Sequence, residues 1–104
     1  MTTIYGIKTC DTCRKAIKAL DGSLHDVRVD PLSTAQLKRF YAAFGDALIN
    51  TKSTTWRGLD EGARARAPLD LLADHPTLMK RPVIDLNGTF YLGWGKDVQA
   101  ALGV

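Results

Sequence analysis

The sequence predicts an α/β fold in which helices flank a mixed four-stranded sheet. Three features lead to this prediction: a strand-helix-strand pattern at the N-terminus, a helical middle, and a hairpin followed by a last helix. The 104 residues are 45% hydrophobic and 24% charged, the composition of an ordinary globular protein. A chain of this length can bury one core without disulfides or a structural metal.

The N-terminal part, up to Asp30, has the patterns of a strand, a helix and a second strand. Residues 2–7 are mostly β-branched and aromatic, which favours a first strand that leads into a loop at 8–12. Apolar residues then recur at spacings of three and four and stop before 21–23, which predicts the first helix. Residues 24–29 alternate apolar and polar, which is typical of a strand. Because such crossovers are right-handed in nearly all proteins, the two strands should be parallel.

The middle of the chain is predicted to be helical. Ser33 is a suitable N-cap for a helix that runs to about Phe44. Residues 56–67 fit one or two short helices. Pro68 begins a further short helix that ends near His75.

The C-terminal part contains the clearest hairpin in the chain. Its strands are residues 82–86 and 89–92, and the Asn87-Gly88 pair between them favours a type I′ turn. Residues 96–102 form the last predicted helix.

The order of these elements is the thioredoxin-like one. In such a fold the first two strands are parallel and the last two are antiparallel. We therefore expect a single thioredoxin-like domain over residues 1–104, with a helical insertion at about 33–79.

Charge and hydropathy disfavour several classes of function. The net charge is only +3, from 14 basic and 11 acidic residues, so no direct binding of nucleic acid is expected. No apolar run approaches the roughly 18 residues of a membrane span, and the N-terminus lacks the pattern of a signal peptide. We expect a cytoplasmic protein without membrane partners, in a compartment that keeps thiols reduced.

Cys10 and Cys13 form a Cys-x-x-Cys pair between the first strand and the first helix. A thiolate at a helix start faces free backbone N–H groups, which lower its pKa, and this spacing suits a redox-active pair. One alternative is half of a metal site, but His25 and His75 lack the spacing of further ligands, so no metal is expected. Two inert buried thiols are the other alternative.

Arg81 and Pro82 open the third predicted strand. A proline is tolerated there because its missing N–H lies before the ladder, and a thioredoxin-like fold has a cis-proline at this place, beside the active cysteine. The Arg81 guanidinium could then hold a carboxylate or stabilise the thiolate. The alternative is a surface arginine that only precedes a strand.

Residues 48–57 combine a buried-looking apolar pair with polar and basic side chains. This segment could line a pocket for an anionic group. Equally, it could be a loop with Ser53 or Thr54 as the N-cap of the next helix and Trp56 in the core. The nearby residues 64–66 are interpreted as a solvated basic helix face.

Taken together, these motifs resemble the YffB group of the arsenate reductase (ArsC)/Spx family. The resemblance spans nearly the whole chain. It is carried by five segments: 4–16 (IYGIKTCDTCRKA), 48–50 (LIN), 53–57 (STTWR), 75–76 (HP) and 80–84 (KRPVI). It implies a thioredoxin-like fold with an inserted helical subdomain.

The resemblance also implies a function and a set of site residues. Cys10 corresponds to the family's catalytic cysteine, and Arg81-Pro82 to the arginine and cis-proline beside it. YffB proteins are regarded as glutathione-dependent thiol reductases, so we expect a thiol–disulfide oxidoreductase with glutathione as co-substrate and no tightly bound cofactor. The catalytic residues would be Cys10, Cys13 and Arg81, and the expected substrate-binding residues are Lys8, Thr9, Asp11, Thr12, Arg14, Asn50, Arg57 and Pro82.

Departures from the family pattern leave two other functions open. Arsenate reductases of this family place three arginines around the nucleophile, whereas the matching positions here are Asn50, Arg81 and Gly93, which disfavours arsenate as substrate. Spx carries a Cys-x-x-Cys redox switch and binds RNA polymerase. A Spx-like regulator is therefore the alternative, with RNA polymerase or a protein disulfide as partner in place of a small thiol or disulfide.

Overall fold

A computed structural model describes residues 2–104. The chain forms two compact units, one comprising the residues up to Asp30 together with Arg81–Val104, the other Pro31–Lys80. We call them the sheet unit and the helical unit and describe each by itself. The single domain over residues 1–104 stays a prediction.

The strands and helices follow the predicted order. In chain order they are β1 (Thr2–Gly6), α1 (Asp11–Leu20), β2 (Ser23–Asp26), α2 (Thr34–Phe44), α3 (Thr54–Arg57), α4 (Glu61–Arg64), α5 (Pro68–Asp74), β3 (Val83–Leu86), β4 (Thr89–Leu92) and α6 (Lys96–Leu102). Within the residues described, no helix is long and apolar enough to cross a membrane.

The four strands form one mixed sheet in the order β2-β1-β3-β4. β1 pairs in parallel with β2, and antiparallel pairing joins β1 to β3 and β3 to β4. The predicted fold class is thereby confirmed. Since β2 is parallel and β3 antiparallel to β1, the ends of β1 and β2 and the start of β3 all lie at one edge of the sheet.

A core cluster of the sheet unit lies on one face of the sheet. Ile4 of β1 and Ile84 of β3 are register partners, and both are fully buried. Ala16 of α1 and Val98 of α6 pack against them, so both helices cover this face. Burial of each large aliphatic side chain contributes roughly 1.5–3 kcal/mol, which fixes the start of α1 relative to the end of β1.

β2 is shorter than its alternating pattern predicted, because its last residue begins a turn. The Asp26 carboxylate accepts hydrogen bonds from the backbone N–H groups of Lys8 and Arg28, both at 2.9 Å. The Asp26 carbonyl accepts from Val29 and Asp30. Residues 27–29 therefore leave the strand, and the Val29 side chain is 82% exposed.

Local turn chemistry forms the other elements as predicted. Asn87 and Gly88 have φ angles of 51° and 92°, as a type I′ turn requires. In the helical unit, Ser33 and Gln36 form a capping box at the start of α2. The predicted helical stretch at 56–67 consists of two one-turn helices, α3 and α4, which Ser53 and Asp60 cap.

Candidate active site

Cys10 occupies the N-cap of α1, at the sheet edge where β1 ends. Its backbone is extended and its carbonyl accepts the first helical hydrogen bond, from Arg14 at 3.0 Å. The Cys10 N–H donates to the Ile7 carbonyl at 3.1 Å, which closes the loop between β1 and α1. The sulfur is thus fixed at a helix start, where free N–H groups and the helix dipole favour negative charge.

The environment of Cys10 lowers the pKa of its thiol. Partial burial opposes ionisation, but hydrogen bonds from the backbone and side chain of Cys13, the Arg81 guanidinium and the Thr12 backbone outweigh it. All of these bonds stabilise the thiolate over the thiol. Cys10 is therefore suited to act as a nucleophile.

Cys13 lies in the first turn of α1 and is fully buried. Burial is the main cause that raises the pKa of its thiol, to about 11, and the hydrogen bond and negative charge of Cys10 raise it further. Both cysteines are free thiols. Since the bond between them lowers the pKa of Cys10 and raises that of Cys13, Cys13 donates and the Cys10 thiolate accepts.

Gly6 makes the burial of Cys13 possible. A Cβ at Gly6 would lie 2.3 Å from the Cys13 sulfur and 3.2 Å from its Cβ. No side chain can occupy that position without displacing Cys13. The glycine at the end of β1 is thus a packing requirement, which its neighbours in the sequence do not reveal.

Arg81 and Pro82 lie at the same sheet edge, immediately before β3. The peptide bond between them is cis, and Pro82 is buried. The Arg81 side chain donates a hydrogen bond to the Cys10 sulfur. The predicted contact between Arg81 and the cysteine is therefore present.

The loop residues expected to bind substrate surround Cys10. Lys8, Thr9, Asp11 and Thr12 are exposed. Arg14 is exposed as well, and its Nε donates to the Lys8 carbonyl at 3.1 Å, while its guanidinium lies 3.6 Å from the Asp11 carboxylate. Their roles as substrate ligands stay predictions.

Two residues beyond β1 and α1 belong to this neighbourhood, and our sequence analysis missed both. Asp26 anchors the loop through the Lys8 N–H, and this hydrogen bond is the main cause that lowers the pKa of its carboxyl group. Arg28 donates to the Thr9 hydroxyl at 3.3 Å. The available signal was their position at the carboxyl end of the strand parallel to β1, because carboxyl ends of parallel strands meet at one edge.

Asn50 and Arg57 belong to the helical unit. The Asn50 side-chain oxygen accepts from the Lys52 N–H at 3.1 Å, and Asn50, Lys52 and Lys80 line a groove of about 420 Å³. Arg57 is exposed on α3. Ser53 caps α3, as one interpretation predicts, beside a groove with two lysines. The prediction that Trp56 lies in the core is wrong, because its side chain is only partly buried.

The interpretation of residues 64–66 as a solvated face is wrong for Arg64. Its guanidinium lies over the Trp56 ring, 5.3 Å from the ring centre. Its Nε and a terminal nitrogen donate to the Trp56 carbonyl at 3.2 and 3.1 Å. Arg64 is partly buried because it covers an aromatic ring, and Arg66 pairs with Asp74.

Comparisons with known proteins agree with this architecture. The ArsC family profile matches residues 5–102. An uncharacterized protein from Haemophilus influenzae is 45% identical over 112 aligned positions, which cover 97% of this chain and 98% of the relative. The global transcriptional regulator Spx of Streptococcus pyogenes is 29% identical, with 93% of this chain and 81% of the relative covered. The solved structure of a YffB protein matches with a TM-score of 0.86 and 33% identity over 97% of each chain. The resemblance and the thioredoxin-like fold predicted from the sequence are confirmed.

Proposed function

We propose that this chain, which belongs to the ArsC family, is a thiol–disulfide oxidoreductase that uses Cys10 as nucleophile and glutathione as reductant. The observation that carries the proposal is the contrast between the two thiols: the pKa of Cys10 is lowered, while that of Cys13 is raised to about 11. A low-pKa thiol can attack a disulfide as a thiolate, and a protonated second thiol beside it can then resolve the mixed disulfide.

In the first step the Cys10 thiolate attacks one sulfur of a substrate disulfide. A bond forms between Cys10 and that sulfur, the substrate S–S bond breaks, and the other half leaves as a thiolate that takes a proton from water. Arg81, which donates to the Cys10 sulfur, is placed to stabilise negative charge there. Lys8 would hold a carboxylate of the tripeptide.

In the second step a thiol attacks Cys10 in the mixed disulfide. Once Cys10 carries no charge, its contributions to the raised pKa of Cys13 disappear, so Cys13 ionises more readily than in the reduced protein. Its thiolate then attacks the Cys10 sulfur and releases the bound half as a thiol, which leaves a Cys10–Cys13 disulfide that two glutathione molecules reduce. If a glutathione thiolate attacks Cys10 first, the substrate half leaves as a thiol and a Cys10–glutathione disulfide forms. A second glutathione thiolate then attacks the glutathione sulfur of that bond, which frees the Cys10 thiolate and gives glutathione disulfide.

A turnover assay with glutathione and hydroxyethyl disulfide tests the proposal. Wild type should accelerate the reduction of the disulfide. The Cys10→Ser variant should be slower than wild type by at least about 10³-fold, because it lacks the nucleophile. Cys13→Ser is the matched control, because it deletes the neighbouring sulfur and keeps Cys10. If wild type and Cys10→Ser turn over equally, the proposal is wrong. Mass spectrometry of Cys13→Ser would show accumulation of the Cys10–glutathione adduct if Cys13 resolves the intermediate.

A second candidate function, a redox-switched regulator, is favoured by the 29% identity to Spx over 93% of this chain. In that case the Cys10–Cys13 disulfide would be a signal rather than an intermediate. A pull-down with RNA polymerase, performed with reduced and oxidised protein, distinguishes the two. Capture that depends on oxidation, without glutathione turnover, would favour the regulator.

A further inference from the structure

We infer that Arg28 is a second anion-binding residue of this site. Arg28 and Arg81 flank Cys10 on opposite sides and select thiol substrates with a carboxylate on each side of the sulfur. The inference deepens the proposed function and rests on it.

Sheet topology puts the two arginines on opposite sides of the cysteine. Cys10 follows the central strand β1, Arg28 follows β2 on one side, and Arg81 precedes β3 on the other. Because β2 is parallel and β3 antiparallel to β1, all three residues lie at the same edge of the sheet. Neighbouring strands lie about 4.8 Å apart, so the end of β2 and the start of β3, beyond which the two arginines lie, are about 10 Å apart on either side of β1.

Side-chain contacts hold the Arg28 guanidinium toward the cysteine. One terminal nitrogen donates to the Thr9 hydroxyl at 3.3 Å, and Thr9 directly precedes Cys10. The Arg28 Nε lies 3.9 Å from the Asp26 carboxylate, which is itself bound to the Lys8 N–H at 2.9 Å. The guanidinium therefore has an orientation set by the loop that carries the nucleophile.

Arg28 also remains accessible to a ligand. Its side chain is 43% exposed, whereas that of Asp26 is 13% exposed and already accepts two backbone hydrogen bonds. A guanidinium offers five N–H donors, and its planar fork matches a carboxylate. A new anion can thus bind Arg28 without competing for the bonds that hold the Asp26 carboxylate.

The spacing fits a tripeptide with a central cysteine. Three extended residues span at most about 10 Å, similar to the separation of the two strand ends beyond which the arginines lie. With its sulfur bonded to Cys10, such a peptide can direct one terminal carboxylate toward Arg28 and the other toward Arg81. Glutathione has this layout, and a neutral thiol has neither carboxylate.

The test measures a single step, the reaction of Cys10 with a disulfide, followed by mass spectrometry under second-order conditions. Three probes are used: glutathione disulfide, the disulfide of glutathione glycyl monoethyl ester, and the neutral hydroxyethyl disulfide. Arg28→Gln should slow the reaction with glutathione disulfide about tenfold and leave hydroxyethyl disulfide within twofold of wild type. When rates are expressed relative to the neutral probe, which corrects for changes in the thiolate itself, the ester should abolish the effect of one arginine variant, Arg28→Gln or Arg81→Gln, and preserve that of the other.

Two control variants separate charge recognition from support of the loop. Lys18→Gln removes a cation from the exposed last turn of α1, about 12 Å along the helix from Cys10, and should change no probe. Arg28→Lys keeps the positive charge and loses the planar fork of the guanidinium. It should therefore retain part of the preference for the charged probe that Arg28→Gln loses.

The inference is overturned if Arg28→Gln slows the charged and neutral probes by the same factor, or changes neither. An equal loss would mean that Arg28 only supports the loop. The result does not depend on catalytic turnover, because a thiolate exchanges with these disulfides in one step. Absence of glutathione turnover in wild type would therefore refute the proposed function, while the probe ratio would still decide the role of Arg28.

Discussion

The Cys10 loop and the first turn of α1 hold two sulfurs three residues apart in opposite environments. The loop leaves Cys10 partly exposed and surrounds it with donors that lower its pKa. The helical turn buries Cys13 completely against Gly6, and its pKa rises to about 11. The difference teaches that chain position alone does not make a cysteine reactive. Cys10 is reactive because its sulfur reaches the free N–H groups of the helix and Arg81. Cys13 is unreactive because close packing keeps its thiol buried.

Of the changes considered, removal of Arg81 should most reduce the difference in pKa between Cys10 and Cys13. Arg81→Gln removes a guanidinium that donates to the Cys10 sulfur, so the pKa of Cys10 should rise. Its alkylation by neutral iodoacetamide near pH 7 should slow by about tenfold or more, because a charge-assisted hydrogen bond contributes roughly 1.5–3 kcal/mol. Stopped-flow pH–rate profiles measure this, with Lys18→Gln as control. A profile that matches wild type would mean that Arg81 does not stabilise the thiolate.

A methyl group at residue 6 should disturb the packing of Cys13. Gly6→Ala places a Cβ 2.3 Å from the Cys13 sulfur, so the helix start or the cysteine must shift, at a cost of about 1–3 kcal/mol of unfolding free energy. Cys13 should also become accessible to alkylation. Gly62→Ala is the matched control, because a Cβ there meets its nearest atom at 3.6 Å on exposed α4. Denaturant unfolding compares the two, and equal stabilities would contradict the packing argument.

The raised pKa of Cys13 predicts a loss of stability at alkaline pH. Cys13 ionises near 9 in the unfolded chain and at about 11 in the folded one, so its contribution is complete below pH 9 and is lost as pH rises toward 11. Over that window wild type should lose about 2 kcal/mol more than Cys13→Ala. The lowered pKa of Cys10 acts in the opposite sense: its contribution is present above its unfolded pKa and is lost as pH falls through its folded pKa.

Urea titrations at pH 8, 9, 10 and 11 make this measurement. The readout is the slope of the unfolding free energy against pH, compared between wild type and Cys13→Ala. The contributions of lysine and tyrosine ionisation are common to both proteins and cancel in the difference. Parallel curves would show that burial does not raise the pKa of Cys13.

The smallest effect is expected on the rate of arsenate reduction when the missing arginines are introduced. Of the three arginine positions implied by the resemblance only Arg81 is an arginine, so wild type should reduce arsenate little. Asn50→Arg with Gly93→Arg should restore little activity, because Gly93 has a φ of 82° and an arginine there is strained by about 1–2 kcal/mol. Coupled assays with glutathione measure this. Robust arsenate turnover by wild type would overturn the assignment of a disulfide as substrate.

The sequence predicted those parts of the fold that local chemistry determines. The Asn87-Gly88 turn and the Ser33 N-cap depend on neighbouring residues alone, and both are present. The Cys10–Cys13 pair could be placed because a strand precedes it and a helix follows. Residues 24–29 were predicted less well, since the carboxylate of Asp26 ends β2 through bonds to a loop eighteen residues earlier.

The parts of the fold and of the site that were not predicted depend on contacts between segments that are distant in the chain. Nothing adjacent to Gly6 indicates that a cysteine sulfur will lie against it. The residues around Arg28 do not mark it as part of a site. Its hydrogen bond to Thr9 forms only because β2 pairs in parallel with β1. Arg64 likewise becomes a cover for Trp56 only in the folded helical unit.

The contrast between the two thiols is tested most directly by alkylating the reduced protein with iodoacetamide from pH 5 to 11 and quantifying each cysteine by mass spectrometry. Cys10 should be modified with a midpoint below the ordinary cysteine value of 9.0, whereas Cys13 should stay protected until the pH approaches about 11. If Cys13 is modified first, or both share one midpoint, the assignment of Cys10 as nucleophile and Cys13 as the thiol held in reserve is contradicted.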